Sequence, residues 1–124
     1  MTNEALRAMQ DLVQAEVGAT PVFIGDLPEL VEACVAIRPV DGYPSTVYLG
    51  MRETFEPLVE VIIRHKDYAS GTDVCNKAMK ALNGFTDDST GILLSKVVGS
   101  PGYLGRNDNG FGEWHFVVHV SMTI

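Results

Sequence analysis

No stretch of the chain approaches the ~18–20 consecutive apolar residues that a membrane-spanning helix needs, so a helical membrane anchor is excluded. The first residues, Met1-Thr2-Asn3-Glu4-Ala5-Leu6-Arg7, carry neither the basic flank nor the apolar run of a signal peptide, and a product that is cytoplasmic where it is made is expected. Cysteine is scarce: Cys34 and Cys75 lie far apart without CxxC spacing, which favours two buried free thiols over a disulfide or metal pair. Cations are also few. Nine Lys and Arg face sixteen Asp and Glu, a formal net charge of −7, and the basic residues cluster only at Arg64-His65-Lys66. Binding nucleic acid by phosphate neutralisation does not fit that balance. Low-complexity tracts, internal repeats and linkers are absent too.

What remains is a 124-residue chain with 46% hydrophobic residues, enough for one core and one domain spanning 1–124. Leu6, Met9, Leu12, Val13 and Val17 recur at helical spacing, so residues 3–17 read as an amphipathic helix with Asn3 as its cap and Gly18 as its stop. Pro21 to Ile24 and Cys34 to Ile37 read as short strands, the second stopped by Arg38-Pro39. Asp41-Gly42-Tyr43-Pro44-Ser45 is turn chemistry. Thr54 to Arg64 reads as a third strand. Residues 70–83 form a second helix with Val74, Cys75, Ala78, Met79 and Leu82 on one face, ended by Asn83-Gly84. Ile92 to Val98 and Gly112 to Met122 are the last strands. The expected fold is α+β: a mostly antiparallel sheet packed on one face by two helices, in the order α-β-β-β-α-β-β, with projecting hairpin arms.

Gly99 to Gly112 is the stretch whose composition suggests a ligand loop. With Gly110 at position 6 of an EF-hand loop, Gly105 and Phe116 fall at positions 1 and 12, and neither supplies a side-chain oxygen. No phosphate-binding glycine motif is present either. Asn109-Gly110 instead suggests a hairpin with positive φ at both residues, and Pro101 demands a break or an edge in the incoming strand. His115 and His119 share one strand face roughly 13 Å apart at ~3.3 Å per residue, too far to hold one zinc ion. No GxSxG elbow or activated cysteine occurs, and Asp87-Asp88 reads as a solvated loop. No catalytic, cofactor or metal site is expected, and the chain is not read as an enzyme.

Three stretches taken together carry a resemblance. They are Val22-Phe23-Ile24-Gly25-Asp26-Leu27-Pro28, the run from Pro57 to Ala69, and Ser100 to Gly110 followed by Trp114-His115-Phe116. Their order and spacing resemble the minor capsid or tail terminator proteins of long-tailed bacteriophages over nearly the whole chain. Asn107 stands where that family usually has Asp. The resemblance implies a virion structural protein at the head-proximal end of the tail. It would form a hexameric ring that caps the tail tube, stops its polymerisation and offers the surface for joining the head. Implied partners are further copies of itself, the tail tube protein and head–tail connector proteins, with DNA passing through the lumen without specific binding. The long connection from Asp41 to Phe55 is then expected to be an arm touching neighbours or tube, with Tyr43, Tyr48 and Arg52 as contacts. The hairpin tip would contribute Arg106, Asn107 and Asp108. A head–tail connector, or a small α+β ligand-binding oligomer, are the alternatives that the residues leave open.

Overall fold

The computed structural model describes residues 1–29, 31–40, 46–49 and 52–123; for 46–49 and 52–54 the backbone alone is described. Helix α1 spans Asn3–Val17 and buries Ala5, Leu6, Met9, Val13 and Val17. Its cap is Thr2 rather than Asn3. Thr2 is extended (φ −78°, ψ 156°), and its Oγ1 accepts the Ala5 N–H at 3.2 Å, leaving Asn3 free to take helical angles. Gly18, at φ 73°, ends the helix as expected. Helix α2 spans Tyr68–Leu82, starting two residues earlier than its apolar periodicity suggests. Asp67 explains the start: its Oδ2 accepts the Ser70 N–H at 2.9 Å, and the Ser70 hydrogen bonds hold the Asp67 carboxyl below its ordinary pKa.

Seven strands form one sheet among the described residues: β1 (Val22–Ile24), β2 (Cys34–Val40), β3 (Thr46–Leu49), β4 (Arg52–Phe55), β5 (Leu58–His65), β6 (Ile92–Arg106) and β7 (Gly112–Thr123). β1 pairs parallel to β2; every other pairing is antiparallel. β5 and then β4 pair along one edge of β7, and β6 takes its other edge. The α-β-β-β-α-β-β order therefore stands with an addition, the β3–β4 hairpin between β2 and β5. The expected strand 54–64 is divided at Glu56-Pro57. Pro57 has no N–H to donate, yet its carbonyl accepts Val120 N–H at 3.0 Å, so the row continues past the break. Conversely, β2 runs through Pro39 instead of stopping before it. β1 has already ended opposite Ile37, so the missing N–H leaves no ladder bond unmade on that side.

The alternation of β7 sets the layers. Gly112, Trp114, Phe116, Val118, Val120 and Met122 are buried, while the residues between them are partly open. Val59, Val61 and Ile63 of β5 and Ser95 of β6 share the buried face, which both helices cover. α1 lies against β1 and β2, and α2 lies against β5, β7 and β6. Each Val or Ile fully buried here contributes ~1.5–3 kcal/mol relative to exposure. Cys34 and Cys75 are free and buried, and burial pushes the Cys75 thiol up to about 11. No helix among the described residues is long and apolar enough to cross a membrane.

Candidate assembly surfaces

The stretch from Asn107 to Gly110 is the tip of the β6–β7 hairpin. Asn107 carbonyl accepts Gly110 N–H at 2.9 Å and Asn107 N–H donates to Phe111 carbonyl at 2.8 Å, closing a tight turn. Gly110 has φ 83°, and no non-glycine residue among those described has positive φ. The turn thus differs from the expected Asn109-Gly110 mirror-image form: one left-handed residue follows a turn of ordinary hand. Asn107 supplies the reason. Its Oδ1 accepts both Asn109 N–H (2.9 Å) and Phe111 N–H (3.0 Å), and these bonds hold the ordinary turn without requiring positive φ at Asn109. An aspartate would offer the same oxygen. Arg106 Nη1 donates to Gly110 carbonyl, so part of the guanidinium fastens its own hairpin. Asp108 is exposed at the apex.

Behind the tip, β6 departs from a regular ladder. Between Val98↔Val117 and Gly102↔His115 the β6 side carries two more residues than β7, and a second shift separates Tyr103↔Trp114 from Gly105↔Glu113. Gly99 (φ 73°) and Gly105 (φ 94°) take the left-handed angles that these bulges need. The break expected near Ser100-Pro101 is the first bulge, and the strand resumes beyond it to Arg106. An aromatic cluster sits under the arm. The ring centroids of Tyr103 and Trp114 are 5.1 Å apart, and those of Tyr68 and Tyr103 also 5.1 Å, the latter edge-on at 83°. Trp114 packs where Gly71 of α2 leaves room: a Cβ there would lie 2.2 Å from Trp114 Cη2. A glycine inside a helical pattern was the available signal for this close approach.

The second arm is the β3–β4 hairpin, in which Leu49 pairs with Arg52 and Tyr48 with Glu53. Tyr48 and Arg52 therefore sit in adjacent pairs near its end, as far as their backbones show. Tyr43 lies outside the described residues. Thr54 and Phe55 pair with Thr123 and Met122, so this arm leaves the sheet at the end of β7 opposite the 107–110 tip.

The sheet face away from the helices carries a network of ion pairs set among apolar neighbours such as Ile62 and Val117. Glu60 accepts from Arg38 Nε at 3.0 Å and faces His115 Nε2 at 3.1 Å, while Arg38 Nη1 reaches Asp26 at 2.9 Å. His119 Nε2 lies 3.5 Å from Glu56. These histidines face carboxylates, and no group of metal-ligating side chains forms among the described residues. The Arg64-His65-Lys66 cluster is also spent locally. Arg64 reaches Pro28 carbonyl and, at 3.6 Å, Glu113; Lys66 pairs with Glu32 at 3.2 Å; His65 Nδ1 accepts Asp67 N–H. What the geometry offers for assembly is two arms and the outer edges of the sheet.

The family model described as bacteriophage tail terminator protein matches residues 7–124. The chain belongs to the bacteriophage tail terminator family. It is a structural protein of the phage tail and a component of the virion. No curated protein matches the sequence. Among solved structures, a chain of the virion of a native gene transfer agent particle is similar in fold. The TM-score is 0.63 at 13% identity, over 90% of this chain and 84% of that one. The family that the sequence resembles and the expected α+β fold both hold, and Arg106, Asn107 and Asp108 stand together at one arm's tip.

Proposed function

We propose that this tail terminator closes the head-proximal end of the tail tube as a hexameric ring, stops tube polymerisation and presents the surface to which the head joins. The family match over 7–124 carries the reading. The architecture supports it, because arms leaving opposite ends of one sheet suit a subunit that must contact different neighbours above and below. A ring requires a heterologous contact that closes on itself. The net charge of −7 suits a DNA passage, since a negative wall repels phosphates and lets the duplex slide without specific binding. No ligand, cofactor or reaction enters this reading.

The test is assembly without the protein. Particles made in its absence should carry overlength tails that fail to join heads, and purified protein should restore length control and joining. Electron micrographs of the purified protein, alone and with tube protein, should show rings with a central hole. Normal-length tails joined to heads in its absence would overturn the reading.

A further inference from the structure

The two outer margins of the sheet differ in a way that matches them to each other. Among the described residues, the large apolar side chains left exposed are Ile24, Tyr68, Leu94, Val98, Tyr103 and Leu104. Ile24 belongs to β1, at one margin. Leu94, Val98, Tyr103 and Leu104 belong to β6, at the other, and Tyr68 packs on Tyr103. Leu104 is 62% exposed within a bulge, an unfavourable position for a leucine that meets only water.

Charge divides the same way. At the β6 margin, a groove of about 310 Å³ between α2 and β6 is lined by Asn76, Met79, Lys80, Asn83, Val97 and Gly99. Lys96 stands on the other side of that strand, in register with His119. Neither Lys80 nor Lys96 has a carboxylate partner among the described residues. The β1 margin is acidic. α1 carries the exposed acids Glu4, Asp11 and Glu16 against one exposed cation, Arg7. In the segment after β1, Glu29 and Asp26 are exposed, Asp26 being paired with Arg38, while Asp11 and Glu29 have no cation partner among the described residues.

Extension of the sheet from copy to copy is blocked along part of each margin, at Val22 of β1 and at Ser95 and Val97 of β6. Gln10 Nε2 donates to Val22 carbonyl at 2.8 Å and Gln14 Oε1 accepts Val22 N–H at 3.0 Å, so two α1 side chains occupy the outer edge of β1. On β6, Ser95 bonds Gly84 N–H and Phe85 carbonyl, and Val97 N–H goes to Asn83 Oδ1 at 3.1 Å. Edges closed in this way resist strand addition.

We infer that successive copies of this chain meet head to tail, with the basic, apolar β6–α2 margin of one protomer seated on the acidic β1–α1 margin of the next through side chains rather than shared strands. This rests on the ring reading and names its contact. Two unlike, complementary surfaces on opposite margins are what a closed heterologous ring uses. Apolar residues supply the buried centre and the unpaired charges fix partner and register.

A charge-swap experiment tests the contact. One variant carries Lys80→Glu and Lys96→Glu; the other carries Asp11→Lys and Glu29→Lys. Each alone sets like charges against each other at every contact, and should stay monomeric in sedimentation under conditions where the wild type forms rings. Mixed in equal amounts, the two restore opposite charges at both kinds of contact, and alternating rings of wild-type size should return. That recovery also shows that both variants are folded. Wild-type rings together with unimpaired rings from either variant alone would overturn the assignment of margins while leaving the ring intact. Variants that stay monomeric and are not rescued by mixing would also overturn it. A wild type that stays monomeric even with tube protein would overturn both readings.

Discussion

Gly71 and Trp114 show how much one residue decides. The only tryptophan sits on the helix-covered face of β7, and its six-membered ring occupies the space that a side chain at position 71 would fill. The alternation Trp114, Phe116, Val118, Val120 and Met122 was legible because period-two burial is written locally in the strand. The Gly71 contact was not, since it joins residues far apart in the chain and only the packed helix brings them together. Gly71→Ala should raise intrinsic helix propensity and yet destabilise the protein by about 1–3 kcal/mol, because the indole must shift or the helix move away. Urea unfolding checks this. A variant as stable as the wild type would show that the contact yields freely. Since Tyr103 rests on the same indole, Gly71→Ala should also alter near-ultraviolet circular dichroism from the aromatic cluster.

Elements were easier to find than their connections. Both helices are legible from apolar spacing and from Gly18 and Asn83-Gly84: the first has the expected span 3–17 with its cap at Thr2 instead of Asn3, and the second starts two residues earlier because Asp67 caps it. In the sequence the β3–β4 hairpin reads only as a long connection, for its strands are short and it pairs with the sheet only through Thr54 and Phe55. The β6–β7 hairpin was placed correctly but given the wrong turn, since Asn-Gly is the usual mark of the mirror-image form and the Asn107 side chain overrides it. That difference makes a prediction at the tip. Asn107→Asp keeps the accepting oxygen and should leave stability nearly unchanged, whereas Asn107→Ala removes two hydrogen bonds and should cost about 1 kcal/mol. Gly110→Val should cost more, since a β-branched residue is strongly disfavoured at φ 83°. Thermal melts of the three variants check the order. An Asn107→Ala protein indistinguishable from the wild type would remove Asn107 from the role of turn director.

At the scale of the whole molecule, the arrangement along β7 matters most. The tip at 107–110 extends beyond Gly112, where β7 begins, and the β3–β4 arm pairs with Thr123, where β7 ends. A subunit built this way reaches in two opposite directions along its strands, while its two lateral margins remain for neighbouring copies. In the proposed ring at the end of a tube, those directions would correspond to tube and head. The arms should therefore be separable. Replacing residues 42–50 by a short flexible turn, and replacing 107–110 by Gly-Gly, should each leave a folded protein, because the described core around Phe116 is built by the two helices and by β1, β2, β5, β6 and β7. One truncation should give overlength tails, having lost the stop on the tube; the other should give tails of normal length that fail to join heads. Tail lengths and head attachment measured on the same particles decide it. If both truncations give the same defect, or if neither gives any, the two ends of the sheet do not divide the work, and recognition must lie on the faces instead.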